Sequence, residues 1–253
     1  MAELQFLSLV IADNRVTAAK FSGEKRDLKI GVGDTSYFET RSDLGQSVAT
    51  VVENCAASSL SCRVALGPEF FFFRSIDLPF SGRKQIASTL SFEIQDSVSL
   101  SEEEYIFDYL FVDDDTEGTR VFAVLLKKEV IHDLLAILEE HDLDPEVITI
   151  SGVPGCHNFY RVTDNQFETS YMLNIGIKHA AVYVVNRGNV TLVRSIPVDP
   201  GGRAGFYLTE QTNKLEASNP ENVGIVLAGL GRNILNTVVA LRGEIHDTLD
   251  IPW

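Results

Sequence analysis

The chain has 253 residues, 45% of them hydrophobic and 23% charged, enough for one large or two small soluble domains. Its net charge of −15 and pI near 4.7 repel phosphate backbones and anionic lipid, which excludes nucleic acid as an expected partner. Three cysteines at positions 55, 62 and 156 match no zinc spacing and read as buried thiols of a reducing compartment.

The N-terminal "MAELQFLSLVIADNR" lacks a basic segment and meets Asp13 early, so no secretory signal is expected. No stretch reaches the roughly 18 apolar residues needed to span a bilayer, and the fragment is expected to be soluble. Residues 4–11 and 16–21 read as strands joined by the turn "ADNR", and 28–39 as a third strand. Leu44, Val48, Val51, Val52 and Cys55 share one face of a helix over 43–57. "CRVALG" (62–67) and "FFFFRSIDLPF" (70–80) read as strands, the phenylalanines implying burial on both faces.

Ser81 is placed to cap a helix to about Ser97, with Ile86, Leu90, Ile94 and Val98 at four-residue steps. Residues 103–112 and 119–126 form a hairpin with an acidic loop. Its Asp113, Asp114 and Asp115, and the run Glu102, Glu103 and Glu104, are the densest acidic features and the candidate partner-binding residues. Neither has the ligand spacing of a calcium loop, and no metal is expected. Residues 127–143 are an amphipathic helix facing inward with Val130, Leu134, Ile137 and Leu138, followed by the strand "PEVITI" and a helix carrying Pro154 near its first turn.

"MLNIGIKHAAVYVVNRGNVTLVRSIPVD" (172–199) repeats the three-strand pattern of the N-terminus. Each unit enters on an apolar strand and turns at a small residue, Ala12 or Gly176, so the chain reads as a duplication. Residues 204–217 and 220–243 read as helical, although "VGIVLAGLG" fits a strand and turn equally well.

No P-loop, G-x-S-x-G elbow or metal-binding histidine spacing occurs, and "GLGRNI" has Ile234 where a dinucleotide fingerprint needs glycine. Cys156 and His157 are adjacent on a helix and point about 100° apart, so they make no catalytic pair.

The two units resemble the paired phosphate hairpins of the actin-like ATPase superfamily. The order of "SIDLPFSGRKQIASTLSFEIQDSV", "VFAVLLKKEVIHDLLAILEEHDLDPEVITISGVPG" and "RSIPVD" is similar, more closely, to PilM and the cytoplasmic domain of type II secretion protein L. The resemblance implies a mixed α/β, duplicated actin-like (ribonuclease H-like) fold with a degenerate nucleotide site. The first half is expected over 1–165, with an inserted helix–hairpin subdomain at about 79–127. The second, over 166–253, is expected to lack its C-terminal end.

The family's first hairpin Asp falls on Val10 and its Gly on Ala12; in the second, Asp falls on Asn174 and Gly176 is kept. Valine ligates no ion and Asn brings no charge to Mg²⁺, so a pseudo-ATPase without cofactor is expected. The degenerate site would comprise Asp13, Asn174 and Gly176. Gly229 and Gly231 in "IVLAGLGRN" are the only candidates for its glycine-rich adenosine turn, but this run reads more readily as helix, which would put the turn beyond Trp253.

The implied function is a scaffold at the cytoplasmic face of the bacterial inner membrane. Its partners would be a cytoplasmic secretion ATPase and inner-membrane assembly proteins, with a homodimer also allowed. The alternatives are a PilM-like pilus assembly protein that binds ATP, or an active actin-like ATPase.

Overall fold

The computed structural model describes residues 4–24, 27–38, 40–57, 60–98, 101–114, 118–163, 167–209 and 214–246. The chain divides into two compact units, Met1–Val162 and Thr163–Trp253.

The first unit opens with an antiparallel meander of β1 (Leu4–Ala12), β2 (Arg15–Glu24) and β3 (Asp27–Tyr37). Helix α1 (Leu44–Asn54) returns the chain to β4 (Ser61–Leu66), parallel to β1, and β8 (Asp144–Ile150) pairs parallel to β4. The sheet order is β3-β2-β1-β4-β8. Alternation in β1 buries Leu7, Leu9 and Ile11 completely, and they pack with Val48, Val51 and Val52 of α1 and Cys62, Val64 and Leu66 of β4. Helix α3 (Lys128–Glu139) adds Leu134 and Leu138 to this core, with Val130 and Ile137 half-buried beside them. Asp142, at φ 54°, ends α3: the Leu143 and Asp142 amides donate to the Leu138 and Glu139 carbonyls in a Schellman arrangement.

Between β4 and α3 the chain builds a second sheet of β5 (Phe71–Leu78), β6 (Tyr105–Asp114) and β7 (Thr119–Lys127), in the order β5-β7-β6. Helix α2 (Arg83–Ser97) covers it with Ile86, Leu90 and Ile94, all fully buried in a core separate from the first. The excursion thus takes in β5 as well as the expected helix and hairpin. Ile76 and Leu78 are buried against α2 while Ser75 and Asp77 on the opposite face are exposed, so β5 is not buried on both faces along its length. Ser81 is not the cap of α2; Gly82, at φ 120°, holds that position without a side-chain hydrogen bond. Helix α4 (Val153–Val162) follows β8.

The second unit is a meander of β9 (Thr169–Ile175), β10 (His179–Asn186) and β11 (Asn189–Pro197). A short hairpin, β12 (Phe206–Leu208) and β13 (Leu215–Ala217), occupies the region expected to be helical. Gly201, Gly202 and Gly205 all adopt positive φ before it, which breaks any helix. Helix α5 (Val223–His246) packs Val226 and Leu230 on Ala180, Val182 and Val184 of β10. Residues Pro220–Ala240 are long and apolar enough to cross a membrane by length and composition, contrary to the sequence expectation. A search for unbroken apolar runs misses this stretch because Asn222, Arg232, Asn233 and Asn236 interrupt it.

Candidate functional site

The first hairpin turns through Asp13 and Asn14, both near φ +57°, the signature of a type I′ turn. The Asn14 side-chain amide donates to the Phe38 carbonyl at 3.2 Å, and the Phe38 amide returns a bond to the Asn14 carbonyl at 3.0 Å. These bonds tie the turn to the end of β3. The Asp13 backbone amide donates to Glu69 Oε1 at 2.6 Å. Glu69 sits in a 3-10 turn, Pro68–Phe70, immediately after β4, and its carboxylate folds over Gly67 where any Cβ would collide with it. The amide at the tip of this hairpin therefore already holds an anion supplied by the chain.

The second hairpin closes at Gly176, whose amide donates to the His179 carbonyl at 2.9 Å, with Ile177 and Lys178 as turn residues. Ala12 pairs with Arg15 in the first hairpin, so Gly176 is the register equivalent of Ala12. Counting back two residues in each, Val10 (opposite Thr17) and Asn174 (opposite Ala181) occupy equivalent positions. Val10 is half-buried and Asn174 exposed. Neither position carries an acid, and no group of three or more His, Cys, Asp or Glu that could hold a metal occurs among the described residues.

A second internal anion site lies after β11. The Asp199 carboxylate accepts bonds from the Arg203, Ala204 and Gly205 amides at 2.9, 3.0 and 2.8 Å. Sequence reasoning missed both Glu69 and Asp199. The signal for Asp199 was present in "DPGGRAG", where Pro and Gly fold the backbone so that amides converge on the nearest carboxylate, whereas Glu69 is bonded by an amide 56 residues away in sequence.

Gly229 and Gly231 lie inside α5, a continuous helix, and form no turn. Glu102, Glu103 and Glu104 form a 3-10 turn rather than entering a strand. Glu104 Oε2 accepts from the Ser101 amide and hydroxyl, each at 2.8 Å. These bonds hold its carboxyl below the usual range and make it a cap, leaving Glu102 and Glu103 exposed. Asp113 and Asp114 are paired in β6 opposite Arg120 and Thr119 rather than looped out; Asp115 lies outside the described residues. Burial pushes the thiols of Cys62 and Cys156 up to about 11, so neither is a nucleophile at neutral pH.

No family model and no curated protein matches the sequence. Solved structures do. A chain of the PilM–PilN type IV pilus biogenesis complex aligns over 98% of this chain and 77% of its own, at TM-score 0.66 and 16% identity. The cytoplasmic domain of EpsL, an inner-membrane component of the type II secretion system of Vibrio cholerae, aligns over 78% of this chain and 72% of its own, at TM-score 0.56 and 13% identity. The fold is actin-like. At these identities the likeness is one of fold, and it agrees with the paired meanders described above. In both hairpins the position two residues before the turn, Val10 or Asn174, carries no acid, and the Asp13 amide at the first turn is bonded to Glu69.

Proposed function

We infer that this chain is a non-catalytic scaffold of an inner-membrane assembly of the type II secretion or type IV pilus class. The observation that carries this reading is the state of the first hairpin. Its tip amide is bonded to Glu69, so a phosphate arriving there meets a carboxylate instead of a donor. The equivalent positions Val10 and Asn174 bring no charge to offset Mg²⁺, which removes the usual means of stabilising phosphoryl transfer. The likeness to PilM and EpsL structures supports the assembly class. In this reading the protein binds the cytoplasmic ATPase of its system on one surface and membrane-associated components on another, at the cytoplasmic face of the inner membrane.

Calorimetry with ATP and Mg²⁺, followed by a phosphate-release assay, tests the catalytic half. The expected result is no heat of binding and no turnover above buffer. Turnover that Asn174→Ala abolishes overturns the reading, and binding without turnover replaces it with an ATP-holding scaffold. The assembly half is tested by titrating the purified chain against the ATPase encoded alongside it, where absence of a complex at micromolar concentration overturns it.

A further inference from the structure

The β5-β7-β6 sheet leaves the larger sheet of the first unit after β4 and returns to it through α3. The pattern repeated in the two units covers the meanders and not this excursion, so it assigns no later strand to the outer edge of β6. Among the described residues β6 pairs with β7 alone. Its side chains alternate. Tyr105, Phe107, Tyr109 and Phe111 pack towards α2, whereas Ile106, Asp108 and Leu110 lie on the opposite face and are exposed, the two apolar ones at 44% and 51%. The Tyr109 amide donates to the carboxylate of its own neighbour, Asp108 Oδ1, at 2.8 Å. Asp108 thus places a charge, bonded to its own backbone, midway along the strand, which guards it against unselective pairing.

We propose that this edge of β6 takes an extended segment of a different protein, one that carries a lysine or arginine between two apolar residues at alternate positions. The segment adds a further antiparallel strand to the order β5-β7-β6, all of whose pairs are antiparallel. Backbone bonds along the edge supply affinity, the apolar side chains lie beside Ile106 and Leu110, and the cation faces Asp108. Charge selects this occupant. Among the described residues no cation is bonded to Asp108, and Arg120 on the same face of the sheet is engaged by Asp77 at 2.7 Å. Glu102 and Glu103 are exposed just before the strand and extend the acidic edge. A second copy fits badly. Antiparallel pairing of two β6 strands that sets Ile106 opposite Leu110 also sets Asp108 opposite Asp108, and like charges directly opposite are destabilising. The net charge of −15 adds to that repulsion and opposes an anionic lipid surface as well. The proposal gives the scaffold reading a surface for its partner, and rests on that reading only for which protein the segment belongs to.

The test is hydrogen exchange on the 253-residue chain with the end-capped peptide SVTKTVS at millimolar concentration, and with SVTETVS as its acidic counterpart. The lysine peptide is expected to slow amides within residues 106–110 about tenfold, and the glutamate peptide to leave them unchanged. Asp108→Asn is expected to abolish the difference between the two peptides, and Leu110→Arg to abolish protection, both with the melting temperature unchanged. No protection by the lysine peptide overturns the proposal. Equal protection of the unsubstituted chain by both peptides overturns the charge selection on which it stands. A dimer in sedimentation that Leu110→Arg dissociates overturns it in favour of a second copy. Co-sedimentation with phosphatidylglycerol vesicles that Ile106→Glu removes overturns it in favour of a membrane surface. Absence of a complex with the ATPase would sink the scaffold reading and leave this proposal standing on the peptide result.

Discussion

Glu69 reaches back from the end of β4 to the Asp13 amide, joining two loops 56 residues apart through one charge-assisted hydrogen bond. Such a bond contributes about 1.5–3 kcal/mol, and its loss leaves a partly buried amide without that acceptor. Glu69→Ala is therefore expected to lower the unfolding free energy by about 2 kcal/mol in urea titration, with Glu69→Gln losing less. An unchanged midpoint for both would show that the carboxylate does not hold the turn. The cysteines give a pH prediction. Burial raises Cys62 and Cys156 from an ordinary 9.0 to about 11. A raised folded pKa contributes stability that is complete below the unfolded value and disappears as pH rises through the folded one. Stability is thus expected to fall between pH 9 and 11, and Cys62→Ala with Cys156→Ala to flatten that fall. Ellman's reagent is expected to react with native protein at pH 8 only as fast as the chain opens.

Among the elements, α2 and the β5-β7-β6 sheet form a core of their own, with Ile86, Leu90 and Ile94 as its centre. Leu90→Ala removes a fully buried side chain and is expected to cost about 3 kcal/mol through lost burial and the cavity left behind. Because that core is separate, exchange protection is expected to drop across residues 71–127 while the amides of β1 and β4 keep theirs. Uniform loss across the first unit would show the two cores unfold as one. In the second unit, Asp199 gathers three amides at the turn preceding β12. Asp199→Ala is expected to loosen the β12–β13 hairpin, seen as faster exchange over 203–208. Asp199→Asn, which keeps an oxygen acceptor, is expected to retain part of the protection.

For the molecule as a whole, net charge is expected to steer association. A chain at −15 attracts a basic partner over a Debye length of about 8 Å at physiological ionic strength. If the ATPase proposed above is the partner, stopped-flow mixing with it is expected to show an association rate that falls as salt rises, with dissociation little changed. Glu102 and Glu103 are exposed and are the first residues to neutralise, whereas Glu104→Gln should act on the local turn because its carboxylate is already bonded to Ser101. An association rate independent of salt would mean the contact is apolar and the acidic turn a bystander.

Local chemistry was legible in the sequence alone. "ADNR" specifies a tight hairpin because Asp and Asn tolerate positive φ, and alternation in β1 and four-residue steps in α2 follow from where each backbone points its side chains. The equivalence of Val10 and Asn174 was likewise visible, since turn position alone sets hairpin register. Three features were decided only by tertiary structure. The "VGIVLAGLG" run became helix because β10 and β11 offered an apolar face to pack on, a choice that short-range pattern leaves open. Residues 206–208 and 215–217 paired as strands because Asp199 and three positive-φ glycines hold the preceding loop out of a helix. Glu69 met Asp13 because parallel pairing of β1 and β4 brings the ends of both strands together, and a contact 56 residues apart in sequence leaves no periodic trace.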